Sequence, residues 1–182
     1  MRIDFKILVF VLLLIALLVV AYFLPSVNRN QREIYKNDIY NFSLSYKAGW
    51  DPEFHTDKGL TLFLNEKDLI EVEVKFLEEG QSVEDLLLDI CRRINSNITH
   101  CWIDKEEAFI TDHKSNGQRV YLGYNLDDHQ TVDFFYGPIY YFDLPEVKQN
   151  PNLLLIKVPS TSTFDHLVSD EMEAIAESVY LQ

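Results

Sequence analysis

Two cysteines are the residues of this chain whose type and spacing most directly allow a covalent event. Cys91 falls on the apolar stripe of an expected helix, and Cys101 falls on the strand expected to follow it after a short turn. A helix packed on its own succeeding strand can bring two Cα atoms within the 4.4–6.8 Å that a disulfide needs. An oxidising compartment would permit the bond, and closing so short a loop would add about 3 kcal/mol by chain-entropy arithmetic. The alternative is two buried thiols acting as small apolar side chains. A catalytic cysteine is not supported, because no histidine stands at a recognisable spacing from either thiol.

Other chemistry lacks its residues. The histidines are His55, His100, His113, His129 and His166. None pairs at i, i+4, and none stands beside a Cys-x-x-Cys or a Glu-x-x-His, so no zinc motif is present. Asp127-Asp128-His129 reads as a polar loop tip, since three consecutive ligand-type residues do not converge on one ion. Glu78-Glu79 and Glu106-Glu107 read as solvated edges, and no calcium-loop pattern accompanies them. Serine hydrolysis on a Gly-x-Ser-x-Gly elbow has no match. With 29 acidic residues, any chosen carboxylate pair is uninformative for glycosidase chemistry. Asn41 and Asn97 head Asn-x-Ser/Thr triplets, a pattern that chance produces often. The reading is therefore no catalytic, no metal and no cofactor site.

The most unusual stretch is aromatic. Seven of the nine residues 134–142 are aromatic or Ile: Phe134, Phe135, Tyr136, Ile139, Tyr140, Tyr141 and Phe142. Two adjacent strands of a doubly covered sheet would produce this, with a bulge at Gly137. The alternative is an aromatic surface for a protein partner, since tyrosine supplies contact area at low entropy cost.

These residues sit on a chain of uneven hydropathy. Residues 7–24 are eighteen in a row without a charge, spanning about 27 Å as a helix, close to the hydrocarbon thickness of a bilayer. The run is longer than a signal-peptide core and ends in bulky Tyr22-Phe23-Leu24-Pro25, so it reads as an uncleaved anchor. No cysteine follows it, which excludes a lipoprotein. Arg2 and Lys6 precede the run, and Arg29, Arg32 and Lys36 follow it, so the positive charges nearly balance. The short tail before the helix and the long segment after it favour a cytoplasmic tail (1–6), an anchor (7–24), a polar tether (25–38) and an extracytoplasmic domain (39–182). The expected location is the cell membrane, crossed once.

The net charge is −13. Arg2, Asp4 and Lys6 sum to +1, so the rest carries −14. Such a domain is repelled by phosphate backbones, which argues against nucleic acid as a partner. About 150 residues can bury roughly 70% of the surface exposed on unfolding, enough for one core.

From Ile39 the pattern is that of a folded domain. Tyr40, Phe42, Leu44 and Tyr46 alternate with polar residues, predicting a strand with one buried face that closes at Gly49-Trp50-Asp51-Pro52. Strands are expected at 60–64 and 70–76, then a break at Gly80. Ser82 caps a helix over 82–95, with Asp85 three residues on and Val83, Leu86, Leu87, Ile90, Cys91 and Ile94 on one stripe. Strand patterns return at 98–103, 108–111, 119–124, 131–136, 140–144 and 153–158. A second amphipathic helix is expected over 166–181. The fold class predicted is α+β, an antiparallel sheet covered by helices.

The stretch Tyr40-Asn41-Phe42-Ser43-Leu44-Ser45-Tyr46 through Trp50 resembles the opening strand of the PsbP-like fold family. That family holds the photosystem II extrinsic protein, a Ran-binding nuclear import factor and many membrane-attached bacterial proteins. Asn41 stands where Gly is usual and Lys47 where Pro is usual. The stretch 175–180 (Ile-Ala-Glu-Ser-Val-Tyr) is similar to the family's last helix. The resemblance covers 39–182 and implies an α/β/α sandwich with a binding or accessory role. The family shares no catalytic residues, so none is carried over.

The function expected is a non-enzymatic, membrane-tethered interaction or accessory domain of the cell envelope, with the membrane and an envelope protein as partners. The rival is an envelope hydrolase or small-ligand-binding protein whose site is dispersed in sequence. A pilin-like subunit ranks last, because no Gly–Phe processing site with a following Glu is present.

Overall fold

Four consecutive side chains, Leu153, Leu154, Leu155 and Ile156, are buried almost completely. A strand wet on one face alternates, whereas one covered on both faces reads as an unbroken apolar run. These residues therefore mark the centre of a sheet with a layer on each side. The computed structural model describes Ile15 and residues 31–182, except 56–58, 64–68, 127–132, 148–149 and 160–165. The expected anchor and the tether up to residue 30 lie outside the described residues, apart from Ile15. Among the described residues no helix is long and apolar enough to cross a membrane.

The elements in chain order are β1 (Arg32–Asn37), β2 (Phe42–Lys47), β3 (Asp51–His55), β4 (Gly59–Phe63), β5 (Leu69–Phe76), α1 (Val83–Ile94), β6 (His100–Ile110), β7 (Asn116–Asn125), β8 (Phe134–Val147), β9 (Asn150–Lys157), α2 (His166–Glu177) and β10 (Tyr180–Leu181). A seven-stranded sheet has the order β3-β4-β5-β9-β8-β7-β6, and a three-stranded sheet has the order β1-β2-β10. Every named pairing is antiparallel. The first meander, β3 to β5, leads through α1 to the far edge at β6. The second, β6 to β9, returns to the centre and closes against β5. The fold is α+β and dominated by antiparallel sheet, as the pattern predicts.

The two faces of the large sheet have different covers. Leu60, Leu62, Ile70, Val72, Val74, Tyr140, Phe142, Leu154 and Ile156 pack against Phe42, Leu44 and Tyr46 of β2 and Val168, Met172, Ile175 and Ala176 of α2. Tyr40, Phe42, Leu44 and Tyr46 are buried, so the alternation read in the sequence marks a true core face. On the opposite face Val120, Leu122 and Ile139 meet Leu87 and Cys91 of α1. At the start of α1, Ser82 Oγ accepts from Asp85 N at 3.1 Å, and Asp85 Oδ2 accepts from Ser82 N at 2.9 Å. This is a complete capping box, satisfying two backbone donors that the first turn leaves open.

Several boundaries differ from the sequence pattern. The tether expected over 25–38 is not polar coil to its end, because 32–37 forms β1. Ile34 is exposed on this edge strand, and only Tyr35 and Asn37 turn inward, so little apolar periodicity marks it. The turn expected at 49–52 passes into β3, whose Pro52 is tolerated on the sheet edge. The strands expected at 131–136 and 140–144 meet in one strand, β8, which runs from Phe134 to Val147. Its pairing with β7 slips between Val120↔Ile139 and Leu122↔Tyr136, a bulge at Gly137-Pro138. The bulge resets the alternation, so Tyr136 and Ile139 both face α1. A second bulge, between Ile103 and Lys105, likewise makes 98–103 and 108–111 parts of β6. The terminal helix stops at Glu177, and Tyr180 and Leu181 pair with Ser43 and Phe42 of β2.

Candidate functional site

Cys91 and Cys101 are joined in a disulfide, with Cα atoms 6.3 Å apart. The bond ties the buried face of α1 to β6. Helical spacing places Cys91 over the sheet, and Cys101 shares that face because it stands opposite Tyr124 in the β6–β7 register. Of the two readings open from the sequence, the structure takes the bridge.

The aromatic stretch divides between core and surface. Tyr140 and Phe142 are 1% and 0% exposed and pack into the α2-side core, with the Phe109 ring 5.0 and 6.2 Å from theirs. Neither forms a surface, so both drop out of the candidate interaction surface, and at these two positions the buried-strand reading holds. Tyr136 and Tyr141 lie half-buried on the α1 face, and Tyr141 Oη donates to Glu106 at 2.7 Å. Phe134 stacks on Tyr124 at 5.6 Å. Phe135 alone is prominently exposed, at 60%, on the opposite side of the strand. The alternation of a strand, reset by the bulge, splits the set and leaves no single aromatic patch.

Among the described residues the histidines do not assemble. His55 hydrogen-bonds Thr61 at 2.8 Å, His100 stacks on Trp102, and His113 packs edge-on against Tyr180. Asp127, Asp128 and His129 lie outside the described residues. Among the described residues no three His, Cys, Asp or Glu side chains gather as a metal site.

The structure instead assembles a cleft from residues that the sequence scatters. It has a volume of about 270 Å³ and lies open along the flank of α1. Its floor is Glu71, Glu73 and Lys75 of β5, Lys157 of β9 and Tyr136 of β8; its wall is Ile90, Arg93 and Ile94 of α1, with Pro159 at the rim. Strand alternation explains the floor. Ile70, Val72 and Val74 point to the α2-side core, which sends Glu71, Glu73 and Lys75 to the opposite face. There α1 lies over β6 and β7 and leaves β5 open.

Register makes the ion pairs. Glu71 stands directly opposite Lys157 in the β5–β9 ladder, a cross-strand arrangement that favours opposite charges. Lys157, only 12% exposed, pairs with Glu71 and lies 3.5 Å from Glu73. Lys75 pairs with the other oxygen of Glu73 at 2.8 Å. Tyr136 donates its hydroxyl to the Val158 carbonyl. Burial, and then the charges of Glu71 and Glu73, push its ionisation well above the ordinary tyrosine value. Among the described residues Arg93 has no ion-pair partner. Three cations and two carboxylates give the lining a formal charge of +1.

Among the described residues the lining holds no Ser, Thr, Cys or His. Its lysines and Tyr136 are engaged by carboxylates or carbonyl, which leaves no nucleophile beside a free base. Sequence reading did not join Glu71, Glu73 and Lys75 of β5 with Arg93 of α1. The one available signal was Lys157, a charge closing the apolar run 153–156.

No protein-family model matches the chain, and a search of curated proteins finds no match.

Proposed function

We propose that this protein is a membrane-anchored, extracytoplasmic, non-enzymatic accessory domain of the PsbP-like kind, working with a protein partner in the cell envelope. The observation that carries this reading is the Cys91–Cys101 disulfide. Such bonds persist in compartments outside the reducing cytoplasm. The uncharged run 7–24 supplies an anchor of bilayer length. A helix on one face of an antiparallel sheet, with a helix and a small sheet on the other, agrees with the layered architecture that the resemblance implies. The reading is tested by fractionating cells that express the full chain. The protein is expected in carbonate-washed membranes, with both cysteines unreactive to maleimide in denaturant until a reductant is added. A soluble chain, or thiols labelled without reduction, would overturn it.

The cleft beside α1 favours a second reading, a small-ligand-binding protein of the envelope. Its support is the gathering of charged and apolar side chains from α1, β5, β8 and β9 in one concave site.

A further inference from the structure

We infer that the cleft beside α1 binds a small organic carboxylate with a short apolar tail, its headgroup held by Arg93. The inference rests on the ligand-binding reading and is independent of the anchor.

The first argument is the ion-pair inventory. Lys157 is held by Glu71 and Glu73, and Lys75 by Glu73. The charge of each carboxylate is already offset by a lysine, so a cationic ligand gains less here than at an unpaired carboxylate. An anion meets no such offset, because among the described residues Arg93 makes no ion pair. Its planar fork of N–H donors matches a carboxylate in bidentate geometry. Arg93 also lies in the last turn of α1, where the open helix carbonyls favour the cation itself rather than an anion. The anion site is thus the side chain and not the helix end.

The second argument is the apolar wall. Ile90 and Ile94 are half-buried beside Arg93 and, with Pro159, line the cleft. A ligand with a charged head and an apolar body satisfies both halves. Inorganic anions leave the wall wet.

The third argument is size and charge. About 270 Å³ holds on the order of nine waters at ~30 Å³ each. That is room for a headgroup and a short apolar tail within the cleft. A lining of formal charge +1 on a chain of −13 favours one negative charge over several.

The carboxylate has two sources, a free small acid or the C-terminus of a peptide. The test is calorimetry on the full chain in nanodiscs of zwitterionic lipid. The probes are hexanoate, hexylamine, hexanol and an acetylated leucine dipeptide with a free or an amidated C-terminus. Hexanoate is expected to bind once per chain, and hexylamine and hexanol not to bind. Arg93→Gln is expected to weaken hexanoate by about tenfold or more, roughly one lost charge-assisted contact. Arg92→Gln is the control, since Arg92 is also exposed but pairs with Asp89 at 2.8 Å and does not line the cleft. Preference for the free peptide over hexanoate would assign the source to a C-terminus, and the reverse preference to a free acid. Amine binding as tight as acid binding, an amidated peptide equal to the free one, or an Arg93→Gln chain with unchanged affinity would overturn the inference. So would the absence of binding by every carboxylate. None of these outcomes touches the anchor or the disulfide, so they leave the accessory-domain reading standing.

Discussion

Arg32, the first residue of β1, grips Glu171 in the middle of α2 with two guanidinium nitrogens, at 3.2 and 3.0 Å. The contact joins the two ends of the domain across 139 residues of sequence. Glu171 Oε1 also accepts from the Lys47 backbone at 2.7 Å, and Ser178 Oγ accepts from the Ser45 backbone at 2.8 Å. The α2 region thus satisfies edge donors of β2 where β10 does not reach.

Glu171 is only 7% exposed at its side chain. Its replacement by Ala leaves the Lys47 N–H without its acceptor and Arg32 without its carboxylate, held only by Ser45. Glu171→Ala is expected to cost about 2–4 kcal/mol, measured by urea unfolding. Glu171→Gln retains one acceptor oxygen for Lys47 and should cost less.

The disulfide closes a loop of ten residues between α1 and β6. Chain-entropy arithmetic gives about 2–3 kcal/mol for such a loop. The Cys91→Ser, Cys101→Ser double variant should lose that amount in chemical denaturation. The same loss should follow when the native chain is reduced.

Lys157 offsets two carboxylates at the cleft floor. Lys157→Met strips that offset and is expected to destabilise by about 1–3 kcal/mol. The value lies below that for a fully buried pair because the carboxylates keep some solvent. Adding Glu71→Leu should recover much of the loss. A double-mutant cycle checks this, and independent, additive losses would show that the pair is uncoupled.

Tyr46 and Tyr140 are two of the buried tyrosines that contribute to the alkaline limit. Tyr46 is pushed up to about 12 by burial and then by its hydrogen bond to Glu33. Tyr140 reaches about 12 through burial, against the opposing Arg119. In the unfolded chain tyrosine ionises near ~10. The folded state therefore holds these protons more tightly. The resulting stability is intact below about pH 10 and is lost as pH rises through about 12. The part of the tyrosinate absorbance that Tyr46→Phe and Tyr140→Phe remove should rise with unfolding rather than before it. Tyr46→Phe should flatten the alkaline loss, while costing about 1 kcal/mol near neutrality from the hydrogen bond removed.

What the sequence made legible follows from period and local chemistry. Alternation located β2, β4 and β5, and the stripe with its capping box located α1, because each signal lies within one element. β1 escaped because Tyr35 is its one sizeable inward side chain and the rest of the strand is wet. The continuity of β8 escaped because Gly137-Pro138 reads as a stop, whereas a bulge carries the strand through it. The cysteine pair was visible because helix and strand are neighbours in sequence. The cleft was not, because Glu71 and Lys157 meet only through the register of β5 with β9, 86 residues apart. Pairing between distant strands leaves no local mark.

The most direct test of the account is the side of the membrane on which the domain stands. Spheroplasts of cells expressing the full chain would be treated with protease before and after lysis, and the domain followed with an antibody raised against it. The account predicts that the domain is digested in intact spheroplasts while a cytoplasmic marker survives. Protection until lysis, or recovery of the chain from the soluble cytoplasm, would contradict it.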